Sequence, residues 1–224
     1  MRRWSLGTAV LAAFTFGASP LAAQSVSVGP MGGASFFTFN GSDSDIFSDP
    51  EEGVGLDKGT RVGFAAGAFA EFEFGSRWAI EPQLLYIQKG AKYSGTFSDP
   101  DLGEEVDVST SLNADYIQIP VLFKAEFRNP SSTVTPSVFV GPAFGFNIGC
   151  SISADAGDLG SADADCEDDT VKSTEFSAVF GAGLEINRFS LQGRYDLGLS
   201  EIADGADVKN GGFLVTLGYA FRLR

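Results

Sequence analysis

Eight segments of the sequence alternate large apolar residues with small or polar residues at a period of two. Successive side chains of a β-strand point to opposite faces, so each segment is typical of a strand whose two faces meet different surroundings. The last segment is the clearest, with Phe213, Val215 and Leu217 on one face and Leu214 and Thr216 on the other. The sequence therefore predicts an all-β protein.

The same alternation recurs in the other seven segments, more weakly in the first (26–39) and the fifth (134–148), where Gly and Pro interrupt it. In the five clearer ones, one face carries large apolar residues: Phe64, Phe72, Phe74, Trp78, Ile80, Leu84, Tyr86, Ile117, Ile119, Val121, Phe123, Phe127, Phe176, Phe180, Leu184, Ile186, Phe189, Leu191, Tyr195, Leu197 and Leu199. The opposite face carries ionisable residues: Glu71, Glu73, Glu81, Lys89, Lys124, Glu126, Arg128, Glu175, Glu185, Arg194 and Asp196.

The connections between these segments are alternately short and long. Gly75-Ser76, residues 129–132 and Asn187-Arg188 are predicted to be tight turns, which join antiparallel neighbours. The other connections are long and polar, near residues 41–60, 94–111, 150–173 and 201–210. In a meander, all short turns then lie at one end of the sheet (the short-turn end) and all long loops at the other (the long-loop end). This asymmetry is typical of outer-membrane barrels, with short periplasmic turns and long external loops.

Volume indicates which face of the sheet points outward. An eight-stranded barrel has room for only one layer of filling side chains, and the large apolar set would overfill it. Small residues and paired charges fit inside, which leaves an apolar belt outside that only lipid could cover. Closure of the sheet also removes its edges, whose unpaired backbone N–H and C=O groups would find no hydrogen-bond partner in hydrocarbon. We therefore expect an eight-stranded antiparallel up-and-down transmembrane β-barrel.

The first 23 residues have the features of an export signal. Arg2 and Arg3 precede an apolar run over residues 6–16, and Ala22 and Ala23 follow it. No later stretch has the ~18 uninterrupted apolar residues that a membrane-spanning helix needs. We expect a signal peptide at 1–23 and one barrel domain at 24–224, located in the outer membrane of a Gram-negative bacterium.

Charge is distributed unevenly between the two ends. The formal net charge is -14, which makes nucleic acid an unsuitable partner. Most of the acidic residues lie in the four long loops, whereas Arg77, Arg128, Arg188, Arg222 and Arg224 lie at the short-turn end. We take the long-loop end as external, and expect lipid as the main partner of a monomeric protein.

Several strings resemble those of a known group. They lie at residues 81–90 (EPQLLYIQKG), 116–124 (YIQIPVLFK) and 139–142 (FVGP), and at 194–199 (RYDLGL) with 217–221 (LGYAF). Together they resemble the outer-membrane β-barrel porin family, which includes PorT-like proteins and small barrels of the OmpA and OmpX kind. The resemblance implies a fold and a location, but no catalytic residues. Such barrels usually end in an aromatic residue, whereas here Phe221 precedes Arg222, Leu223 and Arg224.

The inward charges have two interpretations. They could line a conducting path, or they could form a hydrogen-bonded network that plugs the lumen. Paired charges can fill a small barrel, whereas an isolated buried charge is costly. Only barrels of about sixteen strands leave a wide aqueous channel, so we favour the plug.

Cys150 and Cys166 flank the third long loop, and we predict that they form a disulfide, as suits an exported chain. Two free thiols are the alternative. The acidic residues between and beyond them could bind divalent cations, although the EF-hand pattern fails at Asp168 and Thr174. Simple solvation of a charged loop is the favoured interpretation.

No enzymatic activity, cofactor or metal site is predicted. The chain has no histidine, which excludes Ser-His and Cys-His nucleophile systems and histidine metal sites. Pairs such as Glu71 and Glu73 face the same way simply because strand residues two apart do so. Three roles stay open: a structural or surface-interaction barrel, which we favour, a narrow porin for small solutes, or a PorT-like secretion or assembly accessory.

Overall fold

The computed structural model describes residues 25–44, 56–98, 105–157, 160–166, 171–202 and 205–223. The predicted signal segment, residues 1–23, lies outside them. Within these ranges, no helix is long and apolar enough to cross a membrane. The strands are β1 Ser25–Asn40, β2 Asp57–Phe74, β3 Trp78–Ser98, β4 Glu105–Glu126, β5 Val134–Asp155, β6 Ser161–Asp165, β7 Thr174–Ile186, β8 Phe189–Gly198, β9 Lys209–Tyr219 and β10 Phe221–Leu223.

The strands form one closed antiparallel ring. From β1 to β9 each strand pairs with the next along the chain, except that β5 pairs with β7, while β6 pairs only with β5 and lies outside the ring. β1 closes the sheet by pairing with β9 and then with β10. β9 and β10 act as one barrel strand interrupted at Ala220, whose backbone N–H donates to Arg188 O at 2.7 Å. The predicted eight-stranded up-and-down barrel is confirmed.

The tight turns depend on residues that accept a left-handed backbone. Gly75, between β2 and β3, has φ 67°, and Asn187, between β7 and β8, has φ 59°. Glycine has no Cβ to clash there, and asparagine tolerates this region better than most residues. The turns position Arg77 and Arg188, which follow directly, at the short-turn end.

The outer surface of the barrel is apolar. Nearly all of the large apolar residues assigned to one face by their alternation point outward, and Phe189, Tyr219 and Phe221 form edge-on ring contacts near the short turns. Such an aromatic girdle marks the boundary between hydrocarbon and headgroups. The exposed apolar residues include Val62, Phe64, Trp78, Leu84, Phe123, Phe127, Val140, Phe144, Ile148, Phe180, Phe213, Val215 and Leu217.

Two expectations from the sequence differ from the structure. The strands extend into the long loops: β3 and β4 pair as far as Ser98 and Glu105, so much of 94–111 is hairpin. Alternation disappears there because both faces of a protruding hairpin meet water. The inner face also holds more large apolar groups than expected, for Phe37, Leu85 and Tyr116 are fully buried inside. Phe37 and Tyr116 fit because glycines lie beside their rings: a Cβ on Gly212 would come within 2.7 Å of the Phe37 ring, and one on Gly145 within 3.3 Å of the Tyr116 ring.

Candidate functional site

The interior of the barrel contains ionisable side chains in three successive layers. The layer nearest the short turns centres on Lys124 of β4. Its Nζ donates to Glu81 and Glu185 at 2.8 Å each, and also contacts the Glu71 carboxylate. These partners come from β3, β7 and β2, so one ammonium group links four strands across the lumen.

Arg128 forms a second group at the mouth of the same layer. Its Nη2 lies 2.8 Å from Glu73 and 2.5 Å from Glu126. The hydrogen bond to Glu73 is the main reason that the pKa of Arg128 is raised above its ordinary value. Arg128 was assigned to a strand from the sequence, but β4 ends at Glu126, and the arginine lies in the following turn.

Three carboxylates of this region could geometrically hold a cation. Oxygens of Glu71, Glu73 and Glu126 lie within 4.8 Å of one another. Oε1 of Glu126 is buried without a hydrogen-bond partner among the described residues. However, Lys124 or Arg128 already contacts one oxygen of each of the three carboxylates, so we interpret the arrangement as a charge-compensated network.

The middle layer is built around Arg194 of β8. Its guanidinium donates to Gln83 at 2.6 Å and to Gln118 at 3.1 Å, and its Nε lies 3.1 Å from Asp196. Gln118 in turn donates to Asp196 at 2.9 Å. Gln192 joins this layer to the first by donating to Glu81 at 2.9 Å. Every member is buried, so the layer fills the lumen with polar groups, most of which hydrogen-bond to one another. Arg194 Nε and Asp196 Oδ1 are in ion-pair contact but lack a hydrogen-bond partner among the described residues.

The third layer lies toward the long loops. Lys89 Nζ is 2.9 Å from Glu175, whose other oxygen accepts a hydrogen bond from Asn210 at 2.8 Å. The ammonium group also lies 5.1 Å from the ring centre of Phe37 and 5.2 Å from that of Tyr116. Cation–π contacts of this kind help to compensate a buried ammonium group for its lost water.

An apolar cluster covers the third layer at the long-loop end. Phe39, Tyr93, Ile202 and Val208 pack together with Leu56 and Ala91. Ile202 and Val208 belong to the connection between β8 and β9, which therefore folds over the barrel opening. Tyr93 Oη donates to Ser44 O at 2.8 Å, and this hydrogen bond connects the first long loop to the same apolar cluster.

Cys150 and Cys166 are disulfide-bonded in the structure, with their Cα atoms 5.4 Å apart. The bond joins Cys150, within β5, to the residue after β6, and Cys166 N–H also donates to Cys150 O at 3.1 Å. Of the acidic residues in this loop, Asp163 and Asp165 are exposed on β6. Asp158, Glu167, Asp168 and Asp169 lie outside the described residues.

Neutral side chains complete the network of the lumen alongside the charges. Gln83, Gln118, Gln192 and Asn210 supply many of the hydrogen bonds within the layers. The alternation of the sequence puts Gln83, Gln118 and Gln192 on the same face as the charges, whereas Asn210 precedes the last alternating segment and was missed. No comparable pattern in the sequence predicts that the phenol of Tyr116 lies in the lumen, because aromatic residues occur on both faces of the strands.

Comparison with known proteins agrees with the geometry. A family model described as "Outer membrane protein beta-barrel domain" matches residues 22–204. No curated protein matches the chain.

Three solved structures are similar to the chain at low identity. Ail of Yersinia pestis, solved with the heparin analogue sucrose octasulfate, is 18% identical with a TM-score of 0.37, over 88% of this chain and 99% of that one. Neisserial surface protein A is 15% identical with a TM-score of 0.41, over 88% and 97%. OprG of Pseudomonas aeruginosa is 10% identical with a TM-score of 0.41, over 90% and 98%.

Proposed function

We propose that this chain, which belongs to the outer membrane protein β-barrel domain family, is a non-conducting membrane anchor that presents acidic loops at the cell surface. Its location in the bacterial outer membrane follows from the family. The surface-interaction role, the closed lumen and the monomeric state are the proposal. No catalytic role is part of it.

The closed lumen is supported by the three layers of side chains. Lys124, Arg194 and Lys89 each contact groups from other strands, and the apolar cluster around Phe39 and Tyr93 lies above them. Moving an ion through would require breaking buried ion pairs in succession, each of which is costly to separate. This is the observation on which the proposal rests.

The surface role is supported by the charge of the long-loop end. Asp57, Asp107 and Asp155 line one recess of about 510 Å³, together with Lys92 and the hydroxyl groups of Ser94 and Thr96. Oxygen atoms of this kind suit divalent cations and also basic groups of a partner. The disulfide restricts the neighbouring loop and so reduces the entropy lost when a partner binds.

Planar-bilayer recording tests the closed lumen. We expect no discrete current steps from purified wild-type protein. The matched variant is Arg194→Ala, which removes the central guanidinium and should increase the frequency of brief openings. Discrete wild-type currents would contradict the plug and favour the narrow porin instead.

Calorimetry with calcium tests the external acidic recess. We expect heat of binding from wild type that is lost in Asp57→Asn/Asp107→Asn/Asp155→Asn. The comparison variant is Asp163→Asn/Asp165→Asn, which removes charge from β6 and should retain binding.

Two outcomes count against this surface role. Absence of heat at millimolar calcium would favour simple solvation. Co-purification with secretion machinery through the short turns would favour the accessory role.

A further inference from the structure

The short-turn end contains a wide recess whose lining is strongly basic. The recess has a volume of about 790 Å³ and is lined by residues of all three short turns and of β10. Four of the lining residues are arginines, from four different elements: Arg77, Arg128, Arg188 and Arg222. The end of the molecule that faces the periplasm therefore differs in charge from the acidic external end.

Three of these guanidinium groups, those of Arg77, Arg188 and Arg222, have fewer contacts within the protein than that of Arg128. Arg128 is held by Glu73 and Glu126. In contrast, the side chain of Arg77 makes no ion pair or hydrogen bond with any described residue, and that of Arg222 has an electrostatic interaction with the Glu73 carboxylate but no close ion pair. Arg188 and Arg222 also line a narrow cavity that contains the carboxylates of Glu71, Glu73, Glu81 and Glu185. Arg188 has only a 3.3 Å hydrogen bond to the Tyr219 hydroxyl. All three are exposed, so their donors are available to a ligand.

Most of the remaining lining residues have side chains that can donate hydrogen bonds. Hydroxyl and amide groups surround the arginines, and Glu185 is the one acidic residue among the described residues of the lining. Glu185 is already engaged by Lys124. Guanidinium groups bind carboxylate and phosphate oxygens in pairs, and neutral donors beside them add to the same ligand. The other lining residues with polar side chains are Ser76, Asn129, Ser132, Thr133, Thr135 and Asn187.

The position of the recess indicates the source of the ligand. Thr135 and Glu185 lie on the inward faces of β5 and β7 and form part of its wall. The recess therefore opens along the barrel axis into the periplasm, and a lipid headgroup beside the outer wall would not reach its floor. A soluble molecule has direct access.

We propose that this recess is a binding site for soluble periplasmic polyanions that carry two or more carboxylate or phosphate groups. Three exposed guanidinium groups around one opening suit a ligand with several charges better than a single small anion. The site is separate from the acidic loops and independent of their role.

Titration of the full-length mature chain in zwitterionic lipid nanodiscs tests the site. The probes are tripolyphosphate and citrate, followed by arginine Nε–Hε NMR signals and by calorimetry. We expect saturable shifts of Arg77, Arg188 and Arg222. Arg194, buried in the lumen, serves as the internal control and should not shift.

Variants determine whether those arginines carry the binding. Arg222→Gln should weaken the affinity for tripolyphosphate about tenfold, as expected for loss of one charge-assisted hydrogen bond. Arg77→Gln/Arg222→Gln should weaken it further. Lys92→Gln removes one exposed cation from the long-loop end and should leave the affinity unchanged.

Three results would overturn the proposal. The first is absence of saturable binding of either probe at moderate salt. The second is equal loss of affinity in Lys92→Gln and Arg222→Gln, which would indicate a nonspecific charge effect. The third is that the arginine NMR signals are already fully shifted in phosphatidylglycerol nanodiscs before any probe is added, which would assign the site to lipid headgroups.

Discussion

Lys124 Nζ lies 2.8 Å from the Glu81 carboxylate, and each side chain is only 1% exposed. The two residues are diagonal neighbours on β3 and β4, where Glu81 pairs with Leu122 and Lys124 with Ala79. The same ammonium group also contacts Glu71 and Glu185. One cation thus serves three carboxylates in the interior of the barrel. The stability of the short-turn half depends on this cation more than on any single carboxylate.

Replacing the central lysine should therefore be strongly destabilising. Lys124→Met leaves Glu71, Glu81 and Glu185 without their cation, and removal of one partner from a buried ion pair costs about 3 to 5 kcal/mol. Urea unfolding in detergent micelles measures the loss. The exposed Lys92→Gln should change stability by less than about 0.5 kcal/mol, and similar values for the two variants would contradict the network.

The disulfide should protect the third long loop. Cys150 and Cys166 are separated by 16 residues, and closing a loop of this size contributes about 3 kcal/mol in the chain-entropy estimate. Cys150→Ser/Cys166→Ser should be cleaved faster by added protease on intact cells, within this loop only. Ser161→Ala on β6 is the control, and equal cleavage rates in both variants would argue against the role.

Asp207 should make two external loops sensitive to acid. Its carboxylate accepts hydrogen bonds from Lys209 Nζ at 2.6 Å and from the backbone N–H of Ser42 at 3.3 Å. The contact with Lys209 is the main cause that lowers the pKa of Asp207 below its ordinary 3.8. Because the pKa is lower in the folded state, the ionised carboxylate stabilises the fold at pH values above the ordinary pKa of the group. This stabilisation is lost as the pH falls through the lower pKa of the folded state.

Hydrogen exchange at Ser42 and Asp43 measures this effect. We expect exchange at these amides to accelerate, relative to the rest of the barrel, as the pH falls below about 4. Asp207→Asn should remove the pH dependence. Retention of the same pH dependence in that variant would assign it to another group.

Alternation determined most of the barrel from the sequence alone. The outward set of β9, Phe213, Val215 and Leu217, is exposed, and its partners Leu214 and Thr216 are buried. The face on which each residue lies follows from the local alternation, so the prediction needed no knowledge of contacts with residues distant in the sequence. The protruding ends of β3, β4 and β5 were missed, because strands with water on both faces carry no alternation.

The layers of the lumen were less predictable. Period two places Lys124 and Glu81 on the inner face, but which inward charges meet depends on strand tilt and on the register around the closed ring. The contact between Arg194 and Gln83, 111 residues apart, is an example. Likewise, the period-two pattern of their strands places Phe37 and Tyr116 on the inner face, although small residues were expected at inner positions.

The free energy of folding that is lost when a charge is introduced on the outer face should depend on its depth in the membrane. Val215 lies near the middle of β9 and Phe221 near the short turns, and they are 46% and 50% exposed. Val215→Arg should cost about 2 to 4 kcal/mol and Phe221→Arg about 0 to 1 kcal/mol, as expected for the midplane and the interface. Folding equilibria in lipid vesicles measure both, and equal costs would argue against a spanning orientation.

The orientation of the two faces is tested most directly by a spin-label scan of residues 213–218 in liposomes, one cysteine at a time in the Cys150→Ser/Cys166→Ser background. We predict oxygen accessibility with a period of two and maxima at Phe213, Val215 and Leu217, with low accessibility to water-soluble nickel reagents at the same positions. Maxima at Leu214 and Thr216, or high nickel accessibility throughout, would contradict a barrel whose apolar face meets lipid.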